Sequence, residues 1–229
     1  MQEAARRIAR GFRRWQAVVA HASGGHTGPA MPAGADSSDE DLMLAYAAGD
    51  AAAFDAIYAR HKGGVYRYLL RQCCDVGIAE QLFQDVWMNL IRVRTTYQPS
   101  AKFTTWLYTL AHNRLIDHHR ASGRVTLVST DDESHADVVA SLPASRRSEP
   151  ESRAANRELG ERLKDAVAAL PAAQRDAFLL QQEGGLTLEE IAALTGVGTE
   201  TVKSRLRYAT NKLRAELADL FPQLREDIG

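Results

Sequence analysis

The sequence predicts an all-α protein of two small helical domains, four helices in each, joined by a flexible acidic linker. Three observations carry this prediction. Apolar residues recur every three to four positions through both halves of the chain and nowhere alternate as a strand requires. Between Ala121 and Ser152 that periodicity stops, in a stretch holding Gly123, Pro143, Pro150, many Ser and the acidic cluster Asp131, Asp132, Glu133 and Asp137. The span Leu188 to Tyr208 then has the layout of a helix-turn-helix.

Composition bounds the answer without deciding it. The chain has 229 residues, 45% hydrophobic and 25% charged, which suits one large or two small globular domains. A net charge of −1 points to no polyanionic partner, so the distribution of charge matters more than its sum. Cys73 and Cys74 are adjacent, a spacing that suits neither a zinc knuckle nor an ordinary disulfide; they read as two small half-buried residues in a reduced cytosol. No apolar run approaches the roughly 18 residues of a membrane span.

Residues 1–37 read as a poorly ordered extension. Arg6, Arg7, Arg10, Arg13 and Arg14 stand against Glu3, with Ile8, Phe12, Trp15 and Val19 near helical spacing. A basic amphipathic helix, a signal peptide with a short apolar part, and a frayed extension all fit this pattern; the extension is favoured, with Met31 as an alternative start. The first domain is expected over 38–121. Ser38 with Asp41 looks like a capped helix start, which Gly49 breaks. Asp50 to Gln72 reads as a second helix, weakened in the middle by Gly63 and Gly64, and Gly77 is expected to end the next turn. Ala79 to Thr95 reads as a third helix with Leu82, Phe83, Val86, Leu90 and Val93 as its stripe.

The fourth helix, Phe103 to Arg120 (FTTWLYTLAHNRLIDHHR), organises the first domain. Leu107, Tyr108, Ala111 and Leu115 fall on one face and can pack on a core. Trp106, Leu110, Asn113, Asp117 and Arg120 fall on the neighbouring face. Aromatic area to stack on, amide and carboxylate edges to read a base, and cations for phosphates are what holding unpaired bases requires. An ordinary amphipathic helix with one buried Trp fits the same pattern.

The linker is expected over 122–155 and the second domain over 156–222, followed by a tail over 223–229. Glu158 to Leu170 and Ala172 to Glu183 read as helices separated by Pro171. Thr187 with Glu190 forms a capping-box signature opening Leu188 to Leu194, and a last helix runs from about Gly198 to Leu220. Ile191, Val197, Val202 and Leu206 are apolar where two crossed helices must touch, and Gly196 can take the positive φ the turn demands. Lys203, Arg205, Arg207, Lys212 and Arg214 follow with no acid between Glu200 and Glu216: a phosphate-facing stripe. Thr199, Glu200, Thr201 and Ser204 sit near the helix N-terminus, where base edges are met.

At these residues the chain resembles a known family. GLTLEEIAALTGVGTETVKSRLRYATNKLR resembles the promoter-binding C-terminal region of the extracytoplasmic-function (ECF) group of sigma-70 factors. AEQLFQDVWMNLIR resembles that family's core-polymerase-binding helix, and FTTWLYTLAHNRLIDHHR its −10 recognition and melting helix. The order and separation of the three match, over about Asp39 to Leu220. The resemblance implies a transcription initiation factor rather than an enzyme, with no cofactor. Its partners would be core RNA polymerase, promoter DNA and an anti-sigma factor, which would hold it at the membrane from the cytoplasmic side. It implies that Glu80, Gln81, Gln84 and Asp85 dock on the β′ clamp helices. Lys102, Phe103, Trp106, Asn113 and Asp117, with the loop from Thr96, would handle the opened −10 strand and a flipped base. Arg114, His118 and Arg120 would meet phosphates. Thr199, Glu200, Thr201, Lys203, Ser204, Arg205, Arg207 and Tyr208 would read the −35 element. The acidic linker would thread toward the RNA exit path.

The chain departs from the family pattern where Gln81 stands for a frequent acid, Gly198 for a frequent Ser at the helix N-cap, and Tyr208 for a frequent Arg, so the −35 sequence does not carry over. His112, Asp117, His118 and His119 do not converge on one helical face, which favours a solvated or phosphate-facing role over a metal site. The competing function is a one-component helix-turn-helix regulator that binds duplex DNA without polymerase. No nucleophile elbow or phosphate loop supports an enzyme.

Overall fold

The computed structural model describes residues 37–123 and 151–217. All regular structure among them is helical: α1 (Asp39–Ala47), α2 (Ala51–Cys73), α3 (Val76–Val93), a 3-10 turn (Arg94–Thr96), α4 (Phe103–Ala121), α5 (Glu151–Ala168), α6 (Ala172–Gly184), α7 (Leu188–Thr195) and α8 (Thr199–Leu217). The expected extension, most of the linker and the tail lie outside the described residues.

Local chemistry sets the boundaries. The Ser38 hydroxyl accepts the Asp41 N–H at 3.1 Å and starts α1. Asp50 accepts from the Ala52 N–H at 2.9 Å and starts α2. Asp75 accepts the Ile78 N–H, so α3 begins at Val76, earlier than expected, with Gly77 inside its first turn instead of ending a turn. Gly63 and Gly64 do not weaken α2 into two pieces; it runs unbroken for 23 residues. At its end Cys74 takes a left-handed φ of 54° and its N–H reaches the Leu70 carbonyl. α5 starts at Glu151, inside the stretch expected to be linker.

The first half packs α2, α3 and α4 around Val65, Leu69, Leu90, Leu107 and Leu115, with Tyr46, Phe54, Tyr58, Phe83 and Trp87 forming a chain of ring contacts. The second half packs Val167, Leu170, Leu179, Leu180, Ile191, Val202 and Leu213. Each fully buried side chain of this size contributes about 1.5–3 kcal/mol. The two cores are continuous, because α6 lies against α2 and α4.

Candidate nucleic-acid interface

The two-face reading of α4 corresponds to its placement. Leu107, Tyr108, Ala111 and Leu115 are buried, while Asn113, Asp117 and Arg120 are exposed. Trp106 is half-buried, edge-on to Tyr97 at 4.9 Å and beside Phe103 at 5.8 Å, so part of its aromatic area is already covered. Phe103 is a correction to the expected strand-handling set. Its side chain is 0% exposed, with His61 and Tyr97 as ring neighbours, and its N–H donates to Glu40 Oε1. An apolar ring at the first turn of an inward-facing helix goes to the core, so Phe103 fixes the start of α4 and offers no surface to a strand.

On α3, Gln81 and Gln84 are exposed and Glu80 and Asp85 half-exposed. Asp85 meets the strand-facing set directly: Arg114 Nη2 donates to Asp85 Oδ2 at 2.8 Å, and Arg114 Nη1 lies 3.7 Å from Asp117. Between α3 and α4 is a cavity of about 220 Å³ lined by Asp85, Met88, Asn89, Arg92, Leu110, Asn113, Arg114 and Asp117. Of the residues expected to dock on polymerase, Asp85 lines this cavity, together with Asn113, Arg114 and Asp117 of the set expected to meet the −10 strand.

The helix-turn-helix is built as its signature requires. Thr187 Oγ1 accepts the Glu190 N–H, and Glu190 Oε2 accepts the Thr187 N–H, closing the capping box. Gly196 takes φ 72° at the end of α7. Ile191 and Val202 are fully buried where α7 and α8 cross. α8 leaves Thr199, Glu200, Lys203, Arg207 and Tyr208 exposed and Thr201, Ser204 and Arg205 half-exposed. Tyr208 is 54% exposed with the Arg207 guanidinium 5.1 Å from its ring centre, so these two neighbours present one cationic-aromatic unit.

His112 is a second correction: expected to be solvated or phosphate-facing, it turns inward. Its Nδ1 lies 3.1 Å from the Tyr68 hydroxyl and 3.4 Å from Asp176 Oδ2, and both Tyr68 and the Gln72 amide donate to Asp176 Oδ1, at 2.9 and 2.6 Å. Burial first, then the adjacent Asp176 charge, pushes the Tyr68 phenol well above its ordinary pKa, so it remains a donor. This buried polar cluster joins the two halves. Around it, the Glu183 carboxylate takes Arg67 at 2.8 Å and Arg71 at 2.7 Å, and the Tyr108 hydroxyl donates to the Glu183 carbonyl at 2.6 Å. At the edge, Glu190 accepts from Thr105 Oγ1 at 2.9 Å and lies 3.6 Å from Lys102 Nζ. Burial raises the Glu190 pKa, but the Thr187 N–H, the Thr105 hydroxyl and Lys102 outweigh it and leave the pKa below the ordinary value. A signal for this interface lay in the sequence in hindsight. Asp176 and Glu183 occupy the inward stripe of a helix, where carboxylates need partners.

Asp117 is exposed while His112 points inward, and among the described residues no group of three or more His, Cys, Asp or Glu is arranged to hold a metal ion. No helix of the described residues is long and apolar enough to cross a membrane.

Two family models match the chain, sigma-70 region 2 over residues 57–125 and sigma-70 region 4 over residues 160–213. The chain is similar to the ECF RNA polymerase sigma factor SigK of Mycobacterium tuberculosis (strain ATCC 25618 / H37Rv), with 31% identity over 186 residues, covering 78% of this chain and 93% of SigK. Among solved structures, CnrH in complex with the cytosolic domain of CnrY has a TM-score of 0.56 and 22% identity, covering 80% of this chain and 99% of CnrH. The sigma factor RpoE in complex with the anti-sigma factor NepR from Bartonella quintana has a TM-score of 0.53 and 26% identity, covering 72% and 96%.

Proposed function

Because the chain belongs to the ECF group of sigma-70 factors, non-enzymatic proteins that direct RNA polymerase to promoters, we propose a division of that work among its helices. α3 docks on the β′ clamp helices through Glu80, Gln81, Gln84 and Asp85. α4 holds the opened −10 strand through Trp106, Asn113 and Asp117, with Lys102, Arg114, His118 and Arg120 on phosphates. α8 reads the −35 element in the major groove through Thr199, Glu200, Thr201, Lys203, Ser204, Arg205, Arg207 and Tyr208. The observation that carries this reading is that amide, carboxylate and guanidinium groups of α4 line a cavity of about 220 Å³ whose α3 wall includes Asp85. The cavity offers a base edge both donors and acceptors, and its wall would be completed when polymerase covers α3.

Melting by this route requires neither nucleophile nor metal. Extracting a base costs a few kcal/mol. Stacking on an aromatic side chain returns about 1–3 kcal/mol per base. One or two captured bases roughly balance, so polymerase binding and the −35 contact supply the rest. The solved complex of RpoE with the anti-sigma factor NepR supports a further element, control in the bacterial cytoplasm by an anti-sigma factor.

Run-off transcription with core polymerase on fragmented genomic DNA, read by sequencing, tests the proposal. New transcript starts that depend on this protein are expected; their absence above background refutes it. A gel shift without core enzyme distinguishes the one-component regulator, which would bind its duplex site alone.

A further inference from the structure

We propose that Arg114 links polymerase docking to strand capture: Asp85 holds it in the free protein, and when the docking partner takes Asp85 the guanidinium turns to a strand phosphate at the mouth of the α3–α4 cavity. This deepens the role proposed above for Asp85 and rests on it.

The pair is built to exchange. Arg114 and Asp85 are 2.8 Å apart, but their side chains are 39% and 36% exposed, so solvent screens the contact. Asp85 adjoins the exposed Gln84 on the polymerase-facing side of α3, where a cation of the docking partner competes for its carboxylate. Arg114 also has donor capacity left over. Its Nε is buried with no hydrogen-bond partner, and its Nη1 reaches Asp117 only at 3.7 Å. A guanidinium carries five N–H donors in a fork that fits phosphate oxygens better than a single carboxylate oxygen satisfies it.

The surroundings explain why the free state is closed to a strand. Asp85 and Asp117 both face the cavity, and together they repel a phosphate approaching Arg114 and Arg92. With Arg92 and Arg114 set against them the charges are even, and neutralising Asp85 leaves two cations facing one carboxylate. Docking and strand binding are thereby coupled through one side chain, and the coupling acts equally in both directions.

The salt dependence of single-strand binding reads this directly. The probe is a fluorescein-labelled single-stranded oligodeoxynucleotide of mixed sequence, because a phosphate contact is indifferent to sequence. Its anisotropy is followed with the full chain and without polymerase. Asp85→Asn keeps the shape and removes the charge that holds Arg114. It should tighten binding several-fold and steepen the slope of log K against log salt by about 0.7, one further phosphate contact on a single strand. Asp85→Asn with Arg114→Lys should keep the steeper slope, and Asp85→Asn with Arg114→Gln should return it to that of wild type. Charge removal alone also favours a polyanion, so Arg114→Gln in the otherwise wild-type chain is the control: held by Asp85, Arg114 makes no phosphate contact there, and its loss should leave the slope unchanged, whereas a plain charge effect would make the slope shallower. An unchanged slope in Asp85→Asn, or a steeper slope that survives the loss of the cation at 114, overturns the proposal. Failure of the parent function shows separately, as absence of wild-type run-off transcription, while the slopes remain readable without polymerase.

Discussion

Asp176→Ala removes the acceptor at the centre of the contact between the two halves. The residue is 4% exposed and takes two donors on one oxygen, Tyr68 at 2.9 Å and Gln72 at 2.6 Å. After truncation the Tyr68 hydroxyl still has His112 Nδ1 within 3.1 Å. The Gln72 amide N–H has no such substitute; its oxygen keeps only the long 3.4 Å contact from Arg175. One buried donor is therefore orphaned, at about 1–3 kcal/mol. Relief from burying a carboxylate offsets part of this, and lost packing adds to it. A loss of about 2 kcal/mol results, on the principle that an uncompensated buried polar group costs its full desolvation. Asp176→Asn keeps the accepting oxygen and should lose less than about half as much. Urea unfolding of the full chain, followed by far-UV circular dichroism, measures both. If Asp176→Ala falls within about 0.3 kcal/mol of wild type, the cluster does not hold the halves together and the argument fails.

Three further predictions follow from single contacts. Neighbouring glycines in α2 should respond with opposite sign: a Cβ on Gly64 would meet the Tyr108 hydroxyl at 2.7 Å and the Glu183 carbonyl at 3.2 Å, whereas one on Gly63 meets only the Arg67 guanidinium end at 3.2 Å. Gly64→Ala should destabilise by about 1–3 kcal/mol through overpacking, and Gly63→Ala should stabilise by up to about 1 kcal/mol through helix propensity; equal signs in thermal melts would refute the close-approach account. Glu190 has a lowered pKa, so its contribution is complete above the ordinary glutamate value of about 4.3 and is lost as pH falls through the folded value. Acid titration of wild type and Glu190→Gln should therefore differ above that value and converge below it. Asn113→Ala should slow open-complex formation more than initial promoter binding, and a permanganate footprint as strong as wild type would remove Asn113 from strand capture.

How much could be read from the sequence depended on whether a signal was periodic or pairwise. The buried stripe of α4, the capping box of Thr187 and Glu190, and the left-handed Gly196 are local, and each formed as its residues require. The cavity rim was half legible. Asn113 and Asp117 share a helical face, but nothing local says that Arg114 reaches 29 residues back to Asp85. The contact between the halves was not legible, because its partners are separated by about a hundred residues: Tyr68 and Gln72 with Asp176, Arg67 and Arg71 with Glu183. His112 was misplaced for the same reason. A histidine on a helix next to Asn113 reads as part of a polar face until the opposing carboxylate is known. Phe103 opens the same motif as the strand-facing residues, but an aromatic ring in the first turn of α4 has the core within reach and is fully buried there.

The contact between the halves also has to be a temporary one if α4 and α8 do what is proposed for them. Their names place the −10 and −35 elements about 25 base pairs apart, roughly 85 Å of duplex at about 3.4 Å per base pair. In the structure Glu190, in the first turn of the helix-turn-helix, accepts a hydrogen bond from Thr105, in the first turn of α4, at 2.9 Å. α8, of 19 residues, spans only about 28 Å at 1.5 Å per residue. No placement of that helix reaches the distant element while Glu190 stays on Thr105. The chemistry of the contact suits separation. Its centre is a hydrogen-bonded carboxylate, and its edge consists of ion pairs to Arg67, 54% exposed, and Lys102, 61% exposed. Such groups recover much of their solvation when parted, which offsets part of the cost of exposing the apolar side chains through which the two cores join. The hydrogen bond from Thr105 to Glu190 thus holds the first turn of α4 against the helix-turn-helix until something else holds the two halves apart.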